Sequence, residues 1–384
     1  MRQGKFLKIN RRFFLGQSVV SALAFLWLGS IQSCSTLDEY LIEDQFDFDQ
    51  DVIIVGGGIS GLFAAYELKK NKIPFKLFDS NSRFGGQIQT LDQVEWGAYQ
   101  FKKTDHFLIK LAEELNLEIE YHNKTNWSFK KGASILVAEL LDLIQGIMPQ
   151  RQLKQGYKLT SIRKIGYRYQ LVFNNNERDR IYFAKKVVLA LPSAALRQIK
   201  GLDSLNADVQ SIYHVLQDSK YLTALRVYFP IDRIRSAYKI QNRKSMIEKI
   251  SLQHAQQLNK TDTVKIMYDE LNGLSYLTVY CVEEHPIRYF ENIQNLIGNL
   301  VDDKFVLTTD HVKDWGPLIF KGSESQNLGF GFEIKADQVL KALPSSSFLQ
   351  IISDGFIAED SEKSQIEQLL RMVRAQMSAF KADI

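Results

Sequence analysis

Gly56, Gly58 and Gly61 stand at the spacing Gly-x-Gly-x-x-Gly, directly after the apolar run Val52-Ile53-Ile54-Val55. In a dinucleotide-binding turn each of these positions answers a separate physical demand. The first glycine takes the bend out of a strand, the second leaves the backbone bare where a pyrophosphate approaches, and the third lets the next helix close onto the strand. Ile59, Ser60 and Gly61 then supply free N–H groups at a helix N-terminus, whose partial positive charge suits phosphate. Asp79, with Ser80 after it, follows Gly56 by 23 residues. A carboxylate at about that distance accepts hydrogen bonds from ribose hydroxyls. No Ser/His/Asp or paired-carboxylate arrangement is legible, and no catalytic residue is assigned. Cys34 and Cys281 make no disulfide framework, and the six histidines are scattered without metal-ligand spacing, so no metal is expected.

Holding these residues in place requires a strand at Val52–Val55, a helix from Ile59 to Lys70 and a second strand at Phe75–Phe78. Phe107, Leu108, Leu111, Ala112 and Leu115 form one apolar stripe, which predicts a helix over Thr104–Leu117 with Thr104 as its N-cap. A further helix is expected at Ala133–Ile147. Short strands are expected at Tyr157–Arg163, Tyr169–Phe173 and Ile181–Phe183, with Asn174–Asn176 as a turn and a separate buried strand at Val187–Ala190. Ile366, Leu369, Leu370, Val373 and Met377 mark an amphipathic helix near the end of the chain.

Beyond the first glycines, Arg83-Phe84-Gly85-Gly86-Gln87 resembles the Arg-x-Gly-Gly-Arg motif of flavin-containing amine oxidases, with Gln87 in place of the second arginine. Glu95-Trp96-Gly97-Ala98 is similar to that family's segment near the flavin, and Lys131-Gly132-Ala133 to its Gly-Gly-Met segment. Leu159-x-x-Ile162 resembles the strand whose first residue meets the adenine through its backbone. Ala184–Ser193 resembles the strand ending Ala-x-Pro beside the cofactor, which brings in Ala190, and Trp315 stands where the family carries a tryptophan. Ile351–Phe356 can replace the last strand and its Gly-Asp, with Asp354 toward the ribityl or pyrophosphate.

The resemblance implies FAD as cofactor and an α/β fold: a Rossmann-like FAD-binding domain of the GR2 flavoprotein type with a smaller α+β substrate domain. It divides the chain into a discontinuous FAD-binding domain (51–101, 130–200 and 306–384) and a substrate domain (102–129 and 201–305). It implies hydride transfer from a substrate carbon to flavin N5, with oxygen reoxidising the flavin, and a small-molecule substrate such as an amine or amino acid.

Three departures weigh against turnover and keep open an alternative, a flavin-binding scaffold with a structural or partner-binding role. Only 30 residues separate Phe101 from Gly132, where the family usually carries a larger insertion. Leu225–Pro230 resembles the strand that often carries a water-holding lysine, but offers Arg226 there, or Thr223 or Ala224 if the register slips. Arginine cannot accept a proton at ordinary pH, and a surface cation is an equal reading of it. Ile366-Glu367-Gln368-Leu369 lacks the glycine of the family's last helix opening, so Gln368 would crowd the flavin ring.

Residues 1–33 hold five cations (Arg2, Lys5, Lys8, Arg11, Arg12) and no acid; removing them from the formal net charge of +4 leaves −1. The body of the chain thus gives no electrostatic reason to expect nucleic acid. Asn10–Leu15 resembles a twin-arginine export signal, and the apolar stretch Val19–Ile31 follows it. Ile31-Gln32-Ser33-Cys34 resembles a lipoprotein cleavage box. It predicts a signal or anchor over 1–34 and a membrane tether through Cys34, the other reading being an uncleaved transmembrane anchor. Seven acids between Ser35 and Asp51 make 35–50 a solvated spacer. The expected location is outside the cytoplasm: periplasmic or on the outer cell surface.

Overall fold

Val52, Ile53, Ile54 and Val55 are all buried, as a parallel strand covered on both faces must be. They belong to the central sheet of a computed structural model, which describes residues 49–98, 101–122, 124–145, 152–176, 178–218, 221–233, 263–271, 274–281, 301, 305–319, 349–351 and 364–381. The expected address at 1–34, the spacer up to residue 48 and Asp354 lie outside the described residues. Among those residues, no helix is long and apolar enough to cross a membrane.

The elements run in chain order as β1 (Asp49–Val55), α1 (Ile59–Lys70), β2 (Phe75–Phe78), β3 (Thr90–Leu91), β4 (Val94–Glu95), β5 (Phe101–Lys102), α2 (His106–Glu114), β6 (Ile119–Tyr121), β7 (Asn126–Phe129) and α3 (Ser134–Ile144). There follow β8 (Leu153–Lys154), β9 (Lys158–Ile165), β10 (Arg168–Asn174), β11 (Asp179–Leu189), α4 (Ser193–Leu196), α5 (Ala207–Asp218), β12 (Tyr221–Pro230), β13 (Thr263–Leu271), β14 (Leu274–Cys281), β15 (Val312–Ile319), β16 (Leu349–Ile351) and α6 (Gln365–Lys381). The main sheet has the order β8-β2-β1-β11-β10-β9, with β16 also on β11. Strands β8, β2, β1, β11 and β16 run parallel, and β9 and β10 complete an antiparallel meander. A second, antiparallel sheet has the order β13-β14-β12-β15.

Expectation and structure differ in four places. Asp179–Leu189 is one strand where two were expected. The pair Lys185-Lys186 reads as a polar break, yet β11 passes there from its ladder with β10 to its ladder with β1, and Lys185 pairs with Asp51 at 2.7 Å. The helix expected over Thr104–Leu117 is shorter, with Asp105 rather than Thr104 at its N-cap and Asn116 beyond its end at φ +53°. Val312–Ile319 pairs with Tyr221–Pro230 and so extends the second sheet past the expected boundary at 305. Finally, Leu108, Leu111, Trp127 and Phe129, expected in a substrate domain, share one buried core with Leu62 and Phe63 of α1.

Helix α6 buries Ile366, Leu369, Leu370, Val373 and Met377, the stripe seen in the sequence, in that same core. Its start is unusual. Ser364 Oγ accepts the Glu367 N–H at 3.2 Å, one half of a capping box. In such a box the Glu367 carboxylate would turn back to the Ser364 N–H. Here it crosses to α2 and accepts the N–H groups of Phe107 at 3.1 Å and Leu108 at 2.7 Å. The Ser364 N–H is taken instead by Asp105 of α2 at 2.8 Å. The two helices have exchanged caps. Arg371 pairs with the fully buried Glu367 at 2.5 Å, and Arg374 pairs with Glu67 of α1 at 3.1 Å.

Candidate functional site

Strand β1 ends at Val55 and the chain bends at Gly56, with φ +103°. A Cβ on Gly56 would lie 2.0 Å from the Ala190 carbonyl oxygen, and one on Gly61 would lie 1.8 Å from that of Gly56. Both glycines are therefore demanded by packing: the tight bend, and the close approach of α1. A Cβ on Gly58 would meet only Gly86 Cα, at 3.8 Å, so this position opens onto space. Leu62 donates the first intrahelical bond, to Gly58 at 2.9 Å, which leaves the N–H groups of Ile59, Ser60 and Gly61 at the positive end of the helix. Ala190 sits against the turn, its N–H on the Val55 carbonyl at 2.8 Å.

Asp79, at the end of β2, is buried and turned into this loop. Its Oδ2 accepts the Gly57 N–H at 2.6 Å, and its Oδ1 accepts the N–H and Nδ2 of Asn81 at 2.7 and 3.0 Å. The carboxylate thus locks the turn and keeps further lone pairs for a ligand. Ser80 is exposed. The backbone beside Asp79 is that of Lys154, whose carbonyl accepts the Asp79 N–H at 2.8 Å, and of Tyr157, whose N–H donates to the Asp79 carbonyl at 2.8 Å. Leu159, which the resemblance sets against an adenine through its backbone, lies on β9 at the end of the sheet order and pairs with Phe173 of β10, with its side chain in the core. The strand next to the ribose carboxylate is β8, which sequence reasoning missed because two residues carry no periodicity.

The second glycine pair docks on the first. The Gly85 N–H donates to the Gly57 carbonyl at 2.7 Å, and a Cβ on Gly86 would lie 2.9 Å from Gly58 Cα. Arg83 shapes this turn from within: Nη1 donates to Phe84 and Ile88 carbonyls at 3.2 Å each, and Nη2 to that of Gly86 at 2.6 Å. Burial lowers the Arg83 guanidinium from its ordinary value and the Asp79 charge opposes the shift. Gln87 is exposed, and its carbonyl accepts the Ala98 N–H at 3.2 Å.

Glu95 is buried between three elements. Its Oε1 accepts the Ala133 N–H at 2.9 Å and its Oε2 the Thr90 hydroxyl at 2.8 Å. Burial raises its carboxyl above the usual range, while the Ala133 N–H, Thr90 and the Arg226 charge pull it down. Arg226 is no surface cation: it is half-buried, donates from Nη1 to the Gly97 carbonyl at 3.1 Å, and lies over the Tyr276 ring at 4.8 Å. Sequence reasoning reached Arg226 but not Tyr276, whose strand carries no distinguishing signal. Among the described residues, no group of three or more His, Cys, Asp or Glu is placed to hold a metal.

A glycine turn opening onto space at Gly58, a helix N-terminus and a carboxylate at the end of the next strand define a Rossmann-like nucleotide-binding fold, here with a second antiparallel sheet. The family model for NAD(P)-binding Rossmann-like domains matches residues 54–117. The flavin-containing amine oxidase A of Canis lupus familiaris is 34% identical over 73 residues, which cover 18% of this chain and 14% of that one. A pseudooxynicotine dehydrogenase of Pseudomonas sp is 33% identical over 122 residues, 29% of this chain and 24% of that one. The chain thus spans under a quarter of the length of these two relatives. A putative protoporphyrinogen oxidase from Exiguobacterium sp. 255-15 shares the fold over 88% of this chain and 99% of that one, at a TM-score of 0.56 and 11% identity.

Proposed function

We propose that the chain is an FAD-dependent oxidoreductase of the amine-oxidase type, acting on a small molecule such as an amine or amino acid. The observation that carries this reading is the open position at Gly58. A Cβ there would meet nothing nearer than 3.8 Å, while the packing of its neighbours Gly56 and Gly61 is closed. Two glycine turns face each other across it, with a helix N-terminus on one side and Asp79 below. These residues fit a dinucleotide. The N–H groups of Ile59, Ser60 and Gly61 would hold pyrophosphate and Asp79 the ribose, and the backbone of Leu153–Lys154 and Tyr157, next to Asp79, would be the neighbour of the adenine. The match to amine oxidases over the first segment favours FAD over NAD.

The chemistry that FAD supplies when bound is acceptance of a hydride from a substrate carbon, with oxygen as final oxidant. The chain's part is placement. Glu95 and Arg226 fix the segment Trp96–Ala98, and the second sheet closes over it. Gln368, which the resemblance sets against the flavin ring, lies in the first turn of α6, half-buried, its N–H bonded to the Ser364 carbonyl at 3.2 Å.

Purified protein should be yellow and release FAD, not NAD, on denaturation; a colourless chain that binds neither refutes the reading. A screen for peroxide against amines and amino acids then names the substrate class. Flavin that is held but never bleached by any amine under anaerobic conditions is the result expected of a scaffold. We further propose, from Asn10–Leu15 and Ile31–Cys34, that the chain works outside the cytoplasm on a membrane tether.

A further inference from the structure

We infer that Arg226 is a positioning residue: through the Gly97 carbonyl it holds segment 95–98 against residues 87–89, which follow the second glycine pair, and so couples the docking of the second sheet to the shape of the cofactor turn. What the turn holds rests on the FAD reading; the grip itself does not.

Register places the gripping side chains on one face. Arg226 pairs with Thr278 and Tyr228 with Tyr276 across β12 and β14, so Arg226, Tyr228 and Tyr276 project the same way. They meet three consecutive residues. Tyr276 Oη accepts the Glu95 N–H at 3.2 Å, the Tyr228 ring stands edge-on to Trp96 at 5.0 Å, and Arg226 takes the Gly97 carbonyl at 3.1 Å. The far side of the same segment is bonded to the glycine turn. The Trp96 N–H donates to the Gln89 carbonyl at 2.8 Å and the Ala98 N–H to that of Gln87 at 3.2 Å. Residues 87–89 continue directly from Gly86, whose carbonyl Arg83 holds, and Gly85 is bonded to Gly57. Every step from Arg226 to the first glycine turn is thus a direct bond or a covalent neighbour. Arginine suits the task better than lysine, because its planar guanidinium stacks on Tyr276 while it donates to a carbonyl at a fixed angle. Its charge also opposes, after the Ala133 N–H and Thr90, the burial that raises the Glu95 carboxyl, and Glu95 accepts the Ala133 N–H at the start of α3.

The test compares the full chain with Arg226→Met and Arg226→Lys, reading amide exchange at Trp96 and Ala98 against Ile54 and Val55 in the central strand. FAD affinity is read from flavin fluorescence. Arg226→Met should speed exchange at Trp96 and Ala98 by about tenfold or more, leave Ile54 and Val55 unchanged, and weaken FAD binding by about tenfold; Arg226→Lys should recover part of both. Exchange that rises equally everywhere, or not at all, overturns the grip. Faster exchange with unchanged FAD affinity overturns the coupling. If the wild-type chain holds no FAD, the cofactor reading and the coupling to it fail together, while the exchange comparison still decides the grip.

Discussion

A methyl group on Gly56 would press into the Ala190 carbonyl at 2.0 Å, on a backbone already at φ +103°, whereas one on Gly58 would have 3.8 Å of room. Gly56 and Gly58, two glycines of one motif, should therefore fail in different ways. Gly56→Ala should cost at least about 2 kcal/mol of stability, seen as a lowered melting temperature with or without cofactor. Gly58→Leu should leave the melting temperature of the cofactor-free chain almost unchanged and abolish FAD retention. If both variants lose stability alike, Gly58 is a packing residue and the space beside it is no ligand site. Asp79 illustrates the limit of a motif. The spacing marks a ribose carboxylate, but the bond from the Gly57 N–H to its Oδ2 depends on how the turn folds back, which spacing does not encode.

At the scale of elements, the exchanged caps of α2 and α6 make a sharper forecast than either helix alone. Glu367→Ala leaves the N–H groups of Phe107 and Leu108 without their acceptor and should cost about 2–4 kcal/mol by chemical denaturation, whereas Ser364→Ala, which removes the hydroxyl's bonds to the Glu367 N–H and to Asp105, should cost about 1 kcal/mol. Equal costs would mean that the two bonds from α2 to Glu367 contribute nothing of their own. Asp105 adds a pH dependence. Burial raises its carboxyl, with the neighbouring Glu367 charge adding to the shift, so the folded chain binds this proton more tightly than the unfolded one. The contribution therefore favours the fold at low pH and is lost as pH rises from the unfolded value through the raised folded value. Asp105→Asn removes the titration, so its stability relative to wild type should climb across that window; a difference flat with pH refutes the assignment. Much of this level was legible from sequence. The strand–turn–helix at Val52–Lys70 and the stripe of α6 show in apolar spacing alone. Hidden were the features set by distant partners: the exchange of caps, the continuity of β11 through Lys185-Lys186, and the two-residue β8 beside Asp79.

For the whole molecule, the proposed N-terminal address adds a forecast about export to the one about cofactor binding. Replacing Arg11 and Arg12 with lysine keeps the charge and changes only donor geometry. We expect that variant to accumulate, folded and FAD-loaded, in the cytoplasm, measured by fractionation and flavin content. Cys34→Ala should still be exported but without lipid. Normal export of the double lysine variant would point to an ordinary secretory route, in which the chain crosses unfolded and acquires its flavin afterwards.

The exchanged caps also impose an order in time. Leu108 leaves the ribosome 259 residues before the Glu367 that accepts its N–H. Until then the first turn of α2 lacks the acceptor that two of its backbone donors have in the folded chain, and the apolar stripe of α6 that shares its core does not yet exist. A chain broken off anywhere between them is left with a frayed helix over an uncovered patch, the kind of surface that chaperones and proteases bind. If the chain is exported folded, as proposed, this would act as proofreading of length: only a chain translated through Glu367 would pass as finished.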